Sequence, residues 1–129
     1  MQEGAFDYFW NEANPANGLV KDRSTAGSPC SIAATGFGLS AICIGIDQGW
    51  MTREDGRDRI LTTLQTFWNG PQGDEVNGNI GYMGLFYHFL DMTTAVRTWN
   101  SELSTIDTAL LIAGIIDARE YFDTADPLD

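Results

Sequence analysis

The sequence predicts an all-α fold made of two helical hairpins, each an outer helix followed by an inner one. Three observations carry that prediction. Two helix-length stretches, 31–46 and 109–116, are apolar almost all round and so require neighbours that enclose them. Two others, 4–11 and 53–69, have apolar residues on one side only. The halves of the chain also echo each other: Phe9-Trp10-Asn11 returns as Phe67-Trp68-Asn69, and Asn17-Gly18 as Asn77-Gly78. Ser31-Ile32-Ala33-Ala34-Thr35 is loosely matched by Ser104-Thr105-Ile106-Asp107-Thr108-Ala109.

Helix one is expected over 4–11, with Phe6, Phe9 and Trp10 at helical spacing and Asn14-Pro15 after its end. A loop through the Asn17-Gly18 turn signal leads to Ser28-Pro29, which has the form of an N-cap followed by proline at the first helical position. Helix two is therefore expected over 29–48. Thr52-Arg53-Glu54-Asp55 resembles a capping box and opens helix three, which runs to 69 with Ile60, Leu61, Leu64, Phe67 and Trp68 as its apolar stripe. A long connection, 70–103, follows, with short β segments expected at 80–90 and 95–99. Ser104 caps helix four, expected over 104–122, and Asp126-Pro127 has the form of a further helix start.

Such a hairpin cannot bury its inner helix alone, so further copies are expected beside these two; a closed ring of about six would need several hundred residues. On this reading the chain is an incomplete domain over 1–129, and its exposed inner helices would invite association. Outer-to-inner loops are long and inner-to-outer ones short, so a ring would gather the long loops on one face, where function is expected.

Composition removes several classes of function. Seven basic against eighteen acidic residues give a formal net charge of -11, which repels nucleic acid and anionic membrane surfaces. The apolar run 31–46 is too short to span a bilayer. Cys30 and Cys43 lie thirteen residues apart on the expected helix two, about 20 Å along its axis, too far for a disulfide. The one histidine, His88, and these two thiols do not make a zinc pattern. The residues Met1 to Asp7 lack the basic and apolar regions of a signal peptide, which leaves the compartment open between the cytoplasm and an export signal lying elsewhere.

The second long loop is the richer in chemistry. Tyr82, Phe86, Tyr87, His88, Phe89 and Trp99 stand among Asp91, Asn100, Glu102 and Asp107, combining flat apolar faces for pyranose rings with polar groups for hydroxyls. Glycosidic cleavage uses two carboxylates, and Glu102, set among aromatic residues that can raise its pKa, is the first candidate. Each candidate also has a structural reading. Asp107 stands at the third position after the cap Ser104, where a carboxylate complements a helix dipole. Glu102 fits a solvated loop charge, His88 a half-buried hydrogen-bonded residue, and Asp22-Arg23 a local ion pair.

The runs Gly78-Asn79-Ile80-Gly81-Tyr82, Phe86-Tyr87-His88-Phe89-Leu90-Asp91 and Trp99-Asn100-Ser101-Glu102-Leu103-Ser104-Thr105-Ile106-Asp107-Thr108-Ala109-Leu110 resemble the glucoamylase-like family that includes bacterial endo-β-1,2-glucanases. Gly18-Leu19-Val20, Asp22-Arg23 and Ser31 to Gly38 fit the same pattern, and the resemblance extends from Tyr8 to Phe122. It implies a partial (α/α)6 toroid, inverting cleavage of β-linked glucans, β-1,2-glucan foremost, and neither metal nor organic cofactor. It places Asp22, Arg23, His88, Asp91, Glu102 and Asp107 on the active-site face without assigning acid and base; taken with the aromatic loop, Glu102 and Asp107 are the catalytic candidates and Asp22, Arg23, Tyr87, His88, Asp91 and Trp99 the substrate-binding ones. The family's domain is about three times longer, so the remaining hairpins are expected outside this sequence, the isolated chain is expected to be inactive, and export is implied. Two other readings stay open: a carbohydrate-binding or helical-repeat module without catalysis, and the transglycosylating domains of cyclic β-1,2-glucan synthases.

Overall fold

Ser31, not Ser28, starts the second helix. In the computed structural model, which describes residues 2–127 and 129, Cys30–Ser31 forms a short strand, β1, and the Ser31 hydroxyl accepts from the Ala34 N–H as N-cap. The Ser28 hydroxyl is occupied elsewhere, accepting from Arg23 N–H and donating to the Pro29 carbonyl, while that same carbonyl accepts from Asp22 N–H. The expected start at 29 is thus corrected by three residues, and Cys30 lies ahead of the helix instead of on it. Both thiols are free and buried.

The helices are α1 (Gln2–Asn11), α2 (Ile32–Asp47), α3 (Arg53–Asn69) and α4 (Thr105–Tyr121). Two of them begin where their caps predict. The Thr52 hydroxyl accepts from Asp55 N–H and donates to the Asp55 carboxylate at 2.6 Å, and the Ser104 hydroxyl pairs with the N–H and carboxylate of Asp107 in the same way. At Asp126-Pro127 the described residues turn, with Asp129 N–H donating to the Asp126 carbonyl.

In the long connection, β2 (Gly81–Tyr82) and β3 (Leu85–Phe86) form a tight hairpin. Its turn residues Met83 and Gly84 both have positive φ, the left-handed geometry that a two-residue hairpin loop requires. β4 (Phe89–Leu90) pairs antiparallel with β1, Cys30 opposite Leu90 and Ser31 opposite Phe89. The expected β segment at 95–99 is reduced to one bridge, Arg97 to Leu90, because Ala95 and Trp99 both turn into the left-handed region.

α2 and α4 pack backbone to backbone. A Cβ on Gly114 would come within 2.0 Å of the Gly36 carbonyl oxygen, and one on Gly36 within 2.5 Å of the Leu110 carbonyl oxygen. One buried cluster, including Leu39, Ile42, Cys43, Ile60 and Ala118, joins α2, α3 and α4. A second, including Leu19, Ile32, Ile80, Tyr87, Leu90 and Leu111, lies beneath the loops. The two apolar helices keep uncovered flanks: Phe37 and Ile44 on α2 and Ile112 and Ile116 on α4 are exposed, with Leu61 and Trp68 of α3. None of the described helices is long and apolar enough to cross a membrane.

Candidate functional site

Backbone pairing sets the site. Beyond β3 the chain continues alongside 102–104: Tyr87 bridges to Leu103, His88 N–H donates to the Glu102 carbonyl, and Ser104 N–H donates to the Phe86 carbonyl. His88 therefore stands opposite Glu102, two residues before Ser104, the N-cap of α4. The two long loops are also tied together. The side-chain amides of Asn14 and Asn17 both donate to the Met92 carbonyl, at 2.7 and 2.9 Å, and Ile32 N–H donates to the His88 carbonyl.

His88 lies between two carboxylates. Its Nδ1 is 2.9 Å from Glu102 Oε1 and its Nε2 is 3.7 Å from Asp107 Oδ2. The Glu102 side chain is 66% exposed, against 28% for His88 and 15% for Asp107, so the open end of the array is Glu102. The expectation of a raised Glu102 pKa is corrected: its carboxyl is held below the ordinary value, first by its own backbone N–H and then by the hydrogen bond with His88. The aromatic residues that were to bury it lie to one side and leave it in water. The three residues could reach a common cation, since one ligand atom of each lies within 4.8 Å of the others. Of the two carboxylates, Glu102 is hydrogen-bonded to the ring, whereas Asp107 Oδ2 accepts from the Ser104 hydroxyl and stands beyond hydrogen-bond reach of His88 Nε2.

A ladder of flat groups leads away from His88. Its ring stacks on Phe89 at 3.9 Å and 15° between planes, and Phe89 meets Trp99 at 5.3 Å and 59°. Trp99 is 63% exposed and, with Asn100, adopts a left-handed backbone, at φ 55° and 54°. For a residue with a bulky side chain that conformation costs about 1–2 kcal/mol. Arg97 and Ser101 enclose this turn, and neither stands out in the sequence; the single cue is Asn100, a residue type that tolerates the left-handed region.

Tyr87, Asp91, Asp22 and Arg23 make contacts of their own. Tyr87 is 5% exposed and belongs to the core, with the Arg97 guanidinium 4.5 Å above its ring, so it supports the loop from beneath. One oxygen of Asp91 accepts from the N–H groups of Thr93 and Thr94 and from the Thr94 hydroxyl, forming a turn, and the two N–H groups, Thr94 foremost, lower its pKa. Asp22 and Arg23 pair with each other at 2.5 Å on the first loop, next to Pro29 and Tyr8. The array of His88, Glu102, Asp107 and Trp99 is thus brought together, while Asp22, Arg23 and Asp91 make local structure.

No established family profile matches the chain. An exo-β-1,2-glucooligosaccharide sophorohydrolase acting at the non-reducing end, from Parabacteroides distasonis, is 30% identical over 129 aligned positions, which take in 95% of this chain and 17% of that protein. The crystal structure of a β-1,2-glucanase from Parabacteroides distasonis superposes on 98% of the chain with a TM-score of 0.83 and 28% identity, the match covering 18% of that protein. A candidate glucoamylase from Bacteroides uniformis matches 98% of the chain with a TM-score of 0.79 and 27% identity, over 30% of its own length. The chain thus spans less than a third of each of these relatives.

Proposed function

We propose, from the premise that this chain belongs to the glucoamylase-like β-1,2-glucanase family, that it forms one wall of the active site of a glycoside hydrolase acting on β-linked glucans, β-1,2-glucan foremost. Residues 1–129 are read as the first two of about six hairpins in an (α/α)6 toroid, whose further hairpins cover the exposed flanks of α2, α3 and α4. The single observation that carries the reading is the juxtaposition of an exposed, ionised Glu102 with the His88–Phe89–Trp99 ladder. It offers a carboxylate for chemistry beside flat faces for sugar rings.

In an inverting reaction one carboxylic acid protonates the leaving oxygen and a second carboxylate activates water, the two standing about 6.5–9.5 Å apart to leave room for that water. Glu102 and Asp107 have oxygens within 4.8 Å of each other, closer than the separation an inverting pair needs for its water, so we assign them different tasks. Glu102 acts as the ionised, water-activating partner. Asp107, held by Ser104 at the N-terminus of α4, adds a negative charge 3.7 Å from the far nitrogen of the His88 ring, and His88 itself hydrogen-bonds Glu102. The proton donor then comes from a neighbouring hairpin, and the isolated chain has no activity of its own.

Incubation of the longer protein with linear β-1,2-glucan tests this reading. New reducing ends and shorter oligosaccharides are the expected result. Longer or cyclic products would replace hydrolysis by glycosyl transfer, and glucan binding without any product would replace it by a carbohydrate-binding module.

A further inference from the structure

Resting on the reading that this loop takes a glucan, we propose that Arg97 is a positioning residue that presets the Trp99 indole as a sugar-stacking surface. Two consecutive non-glycine residues in the left-handed region, Trp99 and Asn100, persist only where their surroundings over-determine them. Arg97 supplies that constraint. Its Nε donates to the Ser101 carbonyl at 2.6 Å, Nη2 to the Asn100 carbonyl at 3.1 Å and Nη1 to the Val76 carbonyl at 3.3 Å, while the Tyr87 ring lies 4.5 Å from its Cζ. Its backbone N–H donates to the Asn79 carbonyl, so one planar cation ties the turn to a second segment of the same connection.

The consequence is an indole turned outward. Trp99 keeps most of its surface in water yet touches Phe89, whose ring lies on that of His88, the partner of Glu102. The C–H face of a pyranose ring stacks on such a surface, and a sugar seated on Trp99 occupies a position neighbouring the Glu102 array. Because the surface stands ready before the ligand arrives, binding loses little side-chain freedom. A lysine at 97 keeps the charge but cannot reach three carbonyls in one plane.

The test is made on the longer protein by following the Trp99 indole N–H resonance, identified with Trp99→Phe, and titrating with a β-1,2-linked glucose trisaccharide. In Arg97→Met that resonance is expected to move toward the position of an unstructured indole before any sugar is added. Sugar affinity is expected to fall about five- to tenfold, as in Trp99→Ala, with little added in the double variant. Arg97→Lys is expected to lie between, and it provides the folded comparison if the methionine variant loses structure. An unmoved Trp99 resonance in a folded Arg97 variant overturns the proposal. If the resonance moves but neither Arg97→Met nor Trp99→Ala weakens the sugar, Arg97 shapes the turn and the preceding reading of the loop as a glucan site is what fails.

Discussion

Glu102 is ionised before any substrate arrives, because its own backbone N–H and then His88 stabilise the charged form. That is the sense of shift that the proposed role as base requires. The same physics governs Asp91, whose folded pKa is depressed by the Thr94 and Thr93 N–H groups. The sign follows directly: its contribution to the turn is complete above the ordinary aspartate value and disappears as pH falls through the lowered folded one. The amide resonances of Thr93 and Thr94 should therefore stay constant from about pH 7 down past about pH 4 and shift only below that, whereas an ordinary aspartate midpoint would contradict the assignment. Burial acts in the opposite sense on the thiols, raising Cys30 to about 12 and Cys43 to about 11. At about pH 8 neither should react with a disulfide reagent until the chain is unfolded, since the thiolate is the nucleophile.

At the level of elements, capping residues were readable wherever one cap alone satisfied the local pattern. Thr52 with Asp55 and Ser104 with Asp107 begin α3 and α4 as expected. Two serines competed for α2, and the winner was selected by a non-local event, the pairing of β1 with β4, which holds Cys30 and Ser31 extended. The left-handed turn at Trp99 was likewise hidden, because tryptophan is no turn former and the constraint comes from Arg97 through space. The fit of α2 against α4 depends on glycine. Gly114→Ala should cost about 2–3 kcal/mol or more in denaturant unfolding, since its methyl group would collide with the Gly36 carbonyl. Gly4→Ala, with nothing within 4 Å of the added methyl, should cost nothing and gain about 0.5–1 kcal/mol from helix propensity. Equal effects at the two sites would show that the helices separate freely.

The molecule as a whole has exposed apolar flanks, on which the proposed ring would place its neighbouring hairpins. Periodicity revealed two helices needing enclosure, and the structure leaves Phe37, Ile44, Ile112 and Ile116 exposed on them. Sedimentation velocity on the 129-residue chain should show concentration-dependent association that strengthens with salt, as screening relieves the repulsion of a net charge of -11. A strictly monomeric chain that binds no hydrophobic dye would contradict the covering of those flanks by further hairpins. Of the expected site residues, Glu102, His88, Asp107 and Trp99 lie together, while Tyr87 is drawn into the core and Asp91 into a turn by contacts that residue type and spacing do not reveal. The central claim is that Glu102 on this wall performs chemistry in a glucan-cleaving ring. Its most direct measurement is the rate of linear β-1,2-glucan cleavage by the longer protein carrying Glu102→Gln. The account predicts a fall in kcat of about 100-fold or more with glucan binding retained, and cleavage at the unaltered rate would contradict it.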